Sequence, residues 1–331
     1  MESAESVGTR TRTNLWQRLL RRHLITVATA SLLVLAIAMN AILQSDFFTP
    51  SVIRSNLTSF VPLVVAAVAQ TIVILAGGID LSLGVIITLV DVVVVRLIGT
   101  SSSPTVLALC LGAGLAVGAL AGLVNGIAVA VIRLQPIVAT FATSFIWSGL
   151  SLLVMPRPGG QVPTFFYRGY RQVFLGIPVA AWIIAGVLVL WLIIKRLPLG
   201  RYIYAVGGNQ QAAYATGINE SGVKIASYVL CGVFAAIAGL CIVADTATGD
   251  PFVGAPFTLT SITAVVIGGT RLTGGVGDAG NSVIGAIILG LVTNIIFFAN
   301  VPSFYQEFIF GVIVVAALAG AGMLTTRRRS S

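Results

Sequence analysis

Charge is scarce in this chain. Only 9% of its 331 residues are Asp, Glu, Lys or Arg, against about 25% in a soluble domain. A folded surface with so little charge is solvated by lipid rather than water. Lysine is reduced to Lys195 and Lys224, and neither ends a Gly-x4-Gly-Lys-Ser/Thr loop, so the chain carries no phosphate cradle for ATP. The sole histidine, His23, stands beside Arg21 and Arg22. No Ser-His-Asp or Cys-His set can be assembled around it, which excludes the usual hydrolases. Cys110, Cys231 and Cys241 are odd in number, lack a Cys-x2-Cys spacing and fall in apolar runs. They form neither a disulfide framework nor a metal site and read as small hydrophobes at helix contacts. Acids inside apolar runs are reduced to Asp91, with Arg96 five residues on and on a different helix face. An ion-coupled carrier would keep more such groups. Gly275 to Gly280 matches Gly-x-Gly-x-x-Gly, but no strand precedes it, which removes a dinucleotide site. The net charge of +9 is scattered over the ends of apolar runs and implies no nucleic-acid partner.

What fills the chain is apolar: 57% of residues, with mean hydropathy +1.03. A spanning helix takes about 20 apolar residues, and the runs do not alternate as barrel strands do. The fold class is therefore all-α, a polytopic integral membrane protein with about ten transmembrane helices. The runs predict spans over 24–44, 57–77, 82–99, 105–132, 136–155, 178–195, 224–244, 258–270, 280–299 and 305–324, the eighth being short. The Arg-rich start followed by an apolar run has the outline of a signal peptide, but the run is too long for one and is read as an uncleaved first span. With the N-terminus inside, alternation puts Arg10, Arg12, Arg18, Arg21, Arg22, Arg133, Lys195, Arg196, Arg201, Lys224, Arg271 and Arg327 to Arg329 on the inner side. Arg54, Arg157, Arg168 and Arg171 fall outside, as the positive-inside rule requires. The domain plan is a basic cytoplasmic segment 1–23, a transmembrane domain 24–324 with a cytoplasmic loop 197–223, and a basic tail 325–331, both termini being cytoplasmic.

Glycine is the other abundant residue. Gly114, Gly118, Gly122 and Gly126 line one face of the fourth span, the pattern by which membrane helices approach closely. Two breaks share the form Gly-Gly-x-x-Leu-Ser/Thr-x-Gly: Gly77, Gly78, Asp80, Ser82 and Gly84 in one, Gly268, Gly269, Gly274 and Gly275 in the other. A second echo pairs Gly118 to Gly126 with Gly285 to Asn294. Paired Gly-interrupted segments point to a transporter with internal repeats. With no ATP cradle and no coupling-ion set, its energy arrives from another subunit. The inner loop offers the handle. Asn209 caps a two-turn helix formed by Gln210, Gln211, Ala212, Ala213 and the residues to Thr216, and Gly217 stops it; a plain connector helix is the other reading. Candidate pore or substrate residues are Gln70, Asn125, Thr143, Ser144 and Trp147, because mid-membrane polar groups face cavities or one another. An interhelical hydrogen bond or packing contact is the alternative at each. Asp80 and Arg271 are expected to organise their inner loops.

Several segments in order carry a family resemblance. Gly77 to Gly84 (GGIDLSLG), Leu199 to Asn209 (LGRYIYAVGGN), Gln211-Ala212-Ala213 through Gly217-Ile218-Asn219, Gly268-Gly269-Thr270 with Gly274 to Gly277, and Pro136 with Thr140 resemble the permease subunits of bacterial ABC importers of the ribose type, over about residues 45 to 320. The resemblance implies a multi-pass inner-membrane subunit that passes a monosaccharide or similar polar solute and catalyses nothing itself. It implies a cytoplasmic ATP-binding subunit with two fused nucleotide-binding domains that holds ATP and Mg, a periplasmic solute-binding protein, and a second permease copy or a paralogous permease. Asn209 to Gly217 becomes the coupling helix. The outer loop from Pro156 to Pro178, with three arginines, becomes either a seat for the binding protein's acidic rim or a solvated lid. Two departures stand out. Thr258 and Thr260 replace the family's usual acids at the start of the eighth span, which bears on substrate and on homodimer against heterodimer, and Ala142 replaces a glycine in the fifth. A related permease for branched-chain amino acids or nucleosides, an autonomous ion-coupled carrier, and a membrane scaffold that moves no solute are the alternatives.

Overall fold

The computed structural model describes residues 15–99, 101, 103–302 and eight positions between 305 and 315, with side chains from residue 29 onward. The basic tail 325–331 and most of the expected tenth span, 305–324, lie outside the described residues; of the segment 1–23 only the backbone from residue 15 is described.

The chain is helical: α1 (Leu15–Leu43), α2 (Pro50–Leu75), α3 (Leu83–Ile98), α4 (Pro104–Ala130), α5 (Pro136–Val154), α6 (Thr164–Tyr170), a two-stranded hairpin of β1 (Val173–Phe174) and β2 (Ile177–Pro178), α7 (Val179–Arg196), α8 (Pro198–Gly208), α9 (Gln210–Ala215), α10 (Glu220–Thr246), α11 (Ala255–Ile267) and α12 (Ala279–Phe298). Proline opens α2, α4, α5 and α8, where its missing N–H costs no helical bond. Among the described residues, six helices are long and apolar enough to cross a membrane: α2, α4, α5, α7, α10 and α12.

Helix α2 is the axis of the bundle, buried from Phe60 to Leu75 except for part of Leu63. Pro62 lies inside it. Proline cannot donate to the carbonyl four residues back, and the Tyr170 hydroxyl of α6 donates to that Thr58 carbonyl instead, at 2.9 Å. Helices α4 and α10 pack along one another at backbone contact: a Cβ on Gly118 would stand 2.3 Å from the Gly232 oxygen, and one on Gly122 2.2 Å from the Tyr228 oxygen. The glycine stripe of the fourth span thus buries itself in a helix interface.

Helices α3 and α11 are short, with 16 and 13 residues, or about 24 and 20 Å, less than the ~30 Å hydrocarbon layer. Non-helical chain over 78–82 and 248–254 leads into each of them. Helices α2, α3 and α4 are matched by α10, α11 and α12: α4 lies along α10, α12 along α2, and α3 meets α11. This is the arrangement of an inverted repeat, in which mates sit at opposite ends of the bundle. The two Gly-Gly breaks are therefore not mates. They lie at the same end and pack together, with Gly274 against Gly77. Their registers also differ. Helices α2 and α11 both close with a bond from the C″ amide back to C3, Gly78 to Val73 and Thr270 to Val265. The left-handed residue is the first glycine in one break (Gly77, φ +82°) and the second in the other (Gly269, φ +80°). The segment that does mirror Asp80-x3-Gly84-x3-Thr88 is Asp250-x3-Gly254-x3-Thr258.

The hairpin of β1 and β2 and the helices α6 and α8 were not expected from the sequence. Three glycines mask α8, whose Gly200, Ile203 and Val206 form one buried face, and α6 is only seven residues long.

Candidate functional site

Two places bring the singled-out residues together: a buried crossing at the bundle centre, and the end that carries α8 and α9.

At the crossing, the first turns of α3 and α11 meet. A Cβ on Gly84 would lie 2.3 Å from the Gly254 oxygen, and one on Gly254 1.9 Å from the Gly84 oxygen, so only glycine admits the approach. Each helix start lacks partners for its first amides, and each borrows one from the other. Gly84 N–H donates to Thr258 Oγ1 at 3.1 Å and Gly254 N–H to Thr88 Oγ1 at 2.9 Å. The family acid replaced by Thr258 would stand at this cap. The other replacement, Thr260, is half-buried and donates to its own helix at Pro256.

The non-helical segments are satisfied completely enough to live inside lipid. Asp80, fully buried, accepts from Ser82 N–H at 2.8 Å, Ser82 Oγ at 2.7 Å, Asn125 Nδ2 at 3.3 Å and Cys231 Sγ at 3.8 Å. The Asn125 oxygen accepts from Thr143 Oγ1 at 2.7 Å. The Gln70 amide, oriented to suit its neighbours, donates to the Asp80 carbonyl and accepts the Asp80 N–H, both at 3.2 Å. Leu81 N–H donates to Thr140 Oγ1 at 3.0 Å. Across the repeat, Asp91 accepts the Asp250 N–H at 2.8 Å. That mid-span acid is thereby a backbone anchor, and Arg96, exposed at the helix end, does not pair with it.

Of the five candidate pore residues, Gln70, Asn125 and Thr143 are buried and spend their hydrogen bonds inside this network. That is the interhelical alternative stated for them. Asp80 holds its own segment through Ser82 and is fully buried, at the level of Gln70, where it ties that segment to α2, α4 and α10. Ser144 is half-exposed on α5 and donates to Phe141 within its own helix. Trp147 is half-buried against the core, its indole N–H enclosed without a partner.

At the other place, α9 forms where the loop helix was expected. Asn209 accepts from Ala212 N–H at 3.0 Å, and Gly217 takes φ +83° at its end. Gln210, Gln211 and Ala212 are exposed, Ala213 is buried, and Tyr214 is 71% exposed. Gly207 of α8 wedges against the last turn of α2, where a Cβ would stand 1.8 Å from the Leu75 oxygen. That oxygen accepts the Gly275 N–H at 3.0 Å. Gly77, Gly207, Gly208, Gly274 and Gly275 thus form one backbone-to-backbone seam, with Gly268 packed on Asn281 of α12 beside it. Arg271 N–H donates to Val276 in the same turn. The Tyr204 hydroxyl donates to the Gly277 carbonyl at 2.8 Å; burial, and then the Asp278 charge, push this phenol above its ordinary range. Asp278 accepts from Gly280 N–H at the start of α12 and forms an ion pair with Lys195. The Gly-x-Gly-x-x-Gly stretch is thus a helix cap.

Sequence reasoning missed Thr88, Gly254, Asp250, Tyr204 and the Lys195–Asp278 pair. The doubled Asp-x3-Gly-x3-Thr spacing was the available signal for the first three.

A bundle of long apolar helices with two broken ones meeting at its centre defines a polytopic membrane protein of transporter architecture. Residues 52–318 match the family described as branched-chain amino acid transport system / permease component, and the chain belongs to it. It is 36% identical over 295 residues to the ribose import permease protein RbsC of Escherichia coli strain K12, covering 86% of this chain and 90% of that one. It is 35% identical to ribose import permease protein RbsC of Bacillus subtilis strain 168, over 86% and 89%, and 30% identical to the D-allose transport system permease protein AlsC of Escherichia coli strain K12, over 87% and 89%. No solved structure matches the chain.

Proposed function

We propose that this protein is the inner-membrane permease subunit of an ATP-binding-cassette importer for a monosaccharide or similar polar solute. The observation that carries the reading is its likeness, over nearly their whole length, to permeases for ribose and allose. The subunit supplies the passage. ATP and Mg are held by a cytoplasmic ATP-binding subunit, with two fused nucleotide-binding domains, and a periplasmic binding protein delivers the solute. A second copy, or a paralogous permease, completes the pore. The exposed apolar side chains of α5, among them Phe141, Phe145 and Leu153, suit lipid or that second subunit.

Ten spans with both termini cytoplasmic remain part of this reading. The described helices support it, because the turns after α2, α4, α7 and α11 share one end with α8 and α9. That end also carries Arg133, Lys195, Arg196, Arg201, Lys224 and Arg271, the basic excess of a cytoplasmic face. Helix α9 is then the coupling helix, and the seam glycines carry its motion.

A branched-chain amino acid permease is the second reading, favoured by the family description. Uptake into proteoliposomes holding the permease, its ATPase and its binding protein tests both. ATP-dependent accumulation of D-ribose or D-allose, and not of L-leucine, is the expected result. Gradient-driven uptake by the chain alone overturns the proposal in favour of an ion-coupled carrier.

A further inference from the structure

We infer that Tyr204, Gly207 and the Lys195–Asp278 ion pair are positioning residues of a transmission seam, which delivers movement of α9 to the end of α2 and the start of α12. The inference rests on the reading of α9 as the ATPase contact and adds where the force goes next.

Helix α9 has six residues and an exposed outer face. Its one side-chain tie to α10 is Lys224 to Gln210, exposed and between two flexible groups, so it transmits little. Its covalent neighbour α8 is different. The Gly207 backbone lies against the Leu75 carbonyl with no side chain between to absorb a displacement, and packed interiors transmit strain. The same carbonyl holds the Gly275 amide. One turn earlier, Tyr204 holds the Gly277 carbonyl. From α7, Lys195 holds Asp278, the residue that caps α12. All these contacts end on two short turns. One leads within five residues to Asp80 and the crossing. The other starts α12, which packs on both α11 and α2. A push at α9 therefore reaches both short helices of the inverted repeat from one side.

The test uses the full permease co-purified with its ATPase subunit in nanodiscs, with spin labels at Leu97→Cys on α3 and Leu259→Cys on α11, both exposed. ATP with vanadate is the probe, and the label-to-label distance is read before and after its addition. The variants are Gly207→Ala, the double Tyr204→Phe/Lys195→Met, and Asp278→Asn, which keeps a capping oxygen while losing the charge. In each, the ATPase is expected to co-purify at the wild-type ratio and to hydrolyse ATP. The distance change is expected to shrink about threefold or more, and Lys195→Arg is expected to restore it. A merely structural role would lower yield without changing the distance response per complex. Full distance change in the variants overturns the inference, as does loss of the ATPase from them, since the seam would then be a dock. If Gly207→Ala does not fold, the double variant decides. Failure of the wild-type chain to retain an ATPase overturns the proposed function itself, and the inference with it.

Discussion

At the bundle centre, Gly84 and Gly254 bring two backbones together, and Asp80, Thr88 and Thr258 beside them hydrogen-bond within the chain. At the α8–α9 end, Gly207, Gly274 and Gly275 join three turns equally closely, yet the adjoining Gln210, Gln211 and Tyr214 are exposed. The glycine chemistry is shared and the polar chemistry is not. Inside lipid an unpaired amide has no water to turn to, so polar groups at the crossing satisfy backbone. At the end they are exposed, and an exposed polar surface on a rigid mount is what a partner can grip.

That contrast can be broken by substitution. The largest loss is expected from Asp80→Ala, which strands the Ser82 amide and the Cys231 thiol and leaves the Asn125 amide only its bond to Ser82 Oγ. Each buried donor left without its acceptor costs about 1–3 kcal/mol, and folded protein recovered from membranes by size-exclusion chromatography should nearly vanish. Gly118→Val drives a side chain into the Gly232 carbonyl and should cost about 3 kcal/mol, seen as a fall in thermal midpoint in detergent. Thr88→Val and Thr258→Val each leave one glycine amide without its cap, at about 1–3 kcal/mol. Near-equal losses are expected from the two; a strongly one-sided result would argue against the reciprocal crossing. Smallest is Tyr214→Ala, exposed on α9: stability should stay within about 0.5 kcal/mol, while ATP-driven uptake falls. An unchanged uptake rate would remove α9 from the coupling surface.

Much of this was legible in the residues. Asn209 and Gly217 bracket α9 as capping chemistry dictates, because a cap acts over three or four residues and needs no tertiary partner. The apolar runs gave the long helices, although α2 begins seven residues before the expected span, at Pro50, since helical backbone continues past the lipid-facing run. The crossing was hidden for the opposite reason. Its caps join residues 84 to 258 and 88 to 254, and a short spacing such as Asp-x3-Gly-x3-Thr gains meaning only when its two copies meet. The Gly-Gly echo misled because two helices that end alike use the same stop signal, whether or not they are repeats.

By itself the sequence determined that the chain is a polytopic helical membrane protein, because lipid admits few charges. It also determined the small helix at 210–215, through local capping alone. Only the tertiary structure decided that Gln70, Asn125 and Thr143 hold the Asp80 segment in place, and that the glycines of three distant segments make one seam. In each case the partner is a group from a distant segment brought near by packing, and no spacing along the chain encodes that approach.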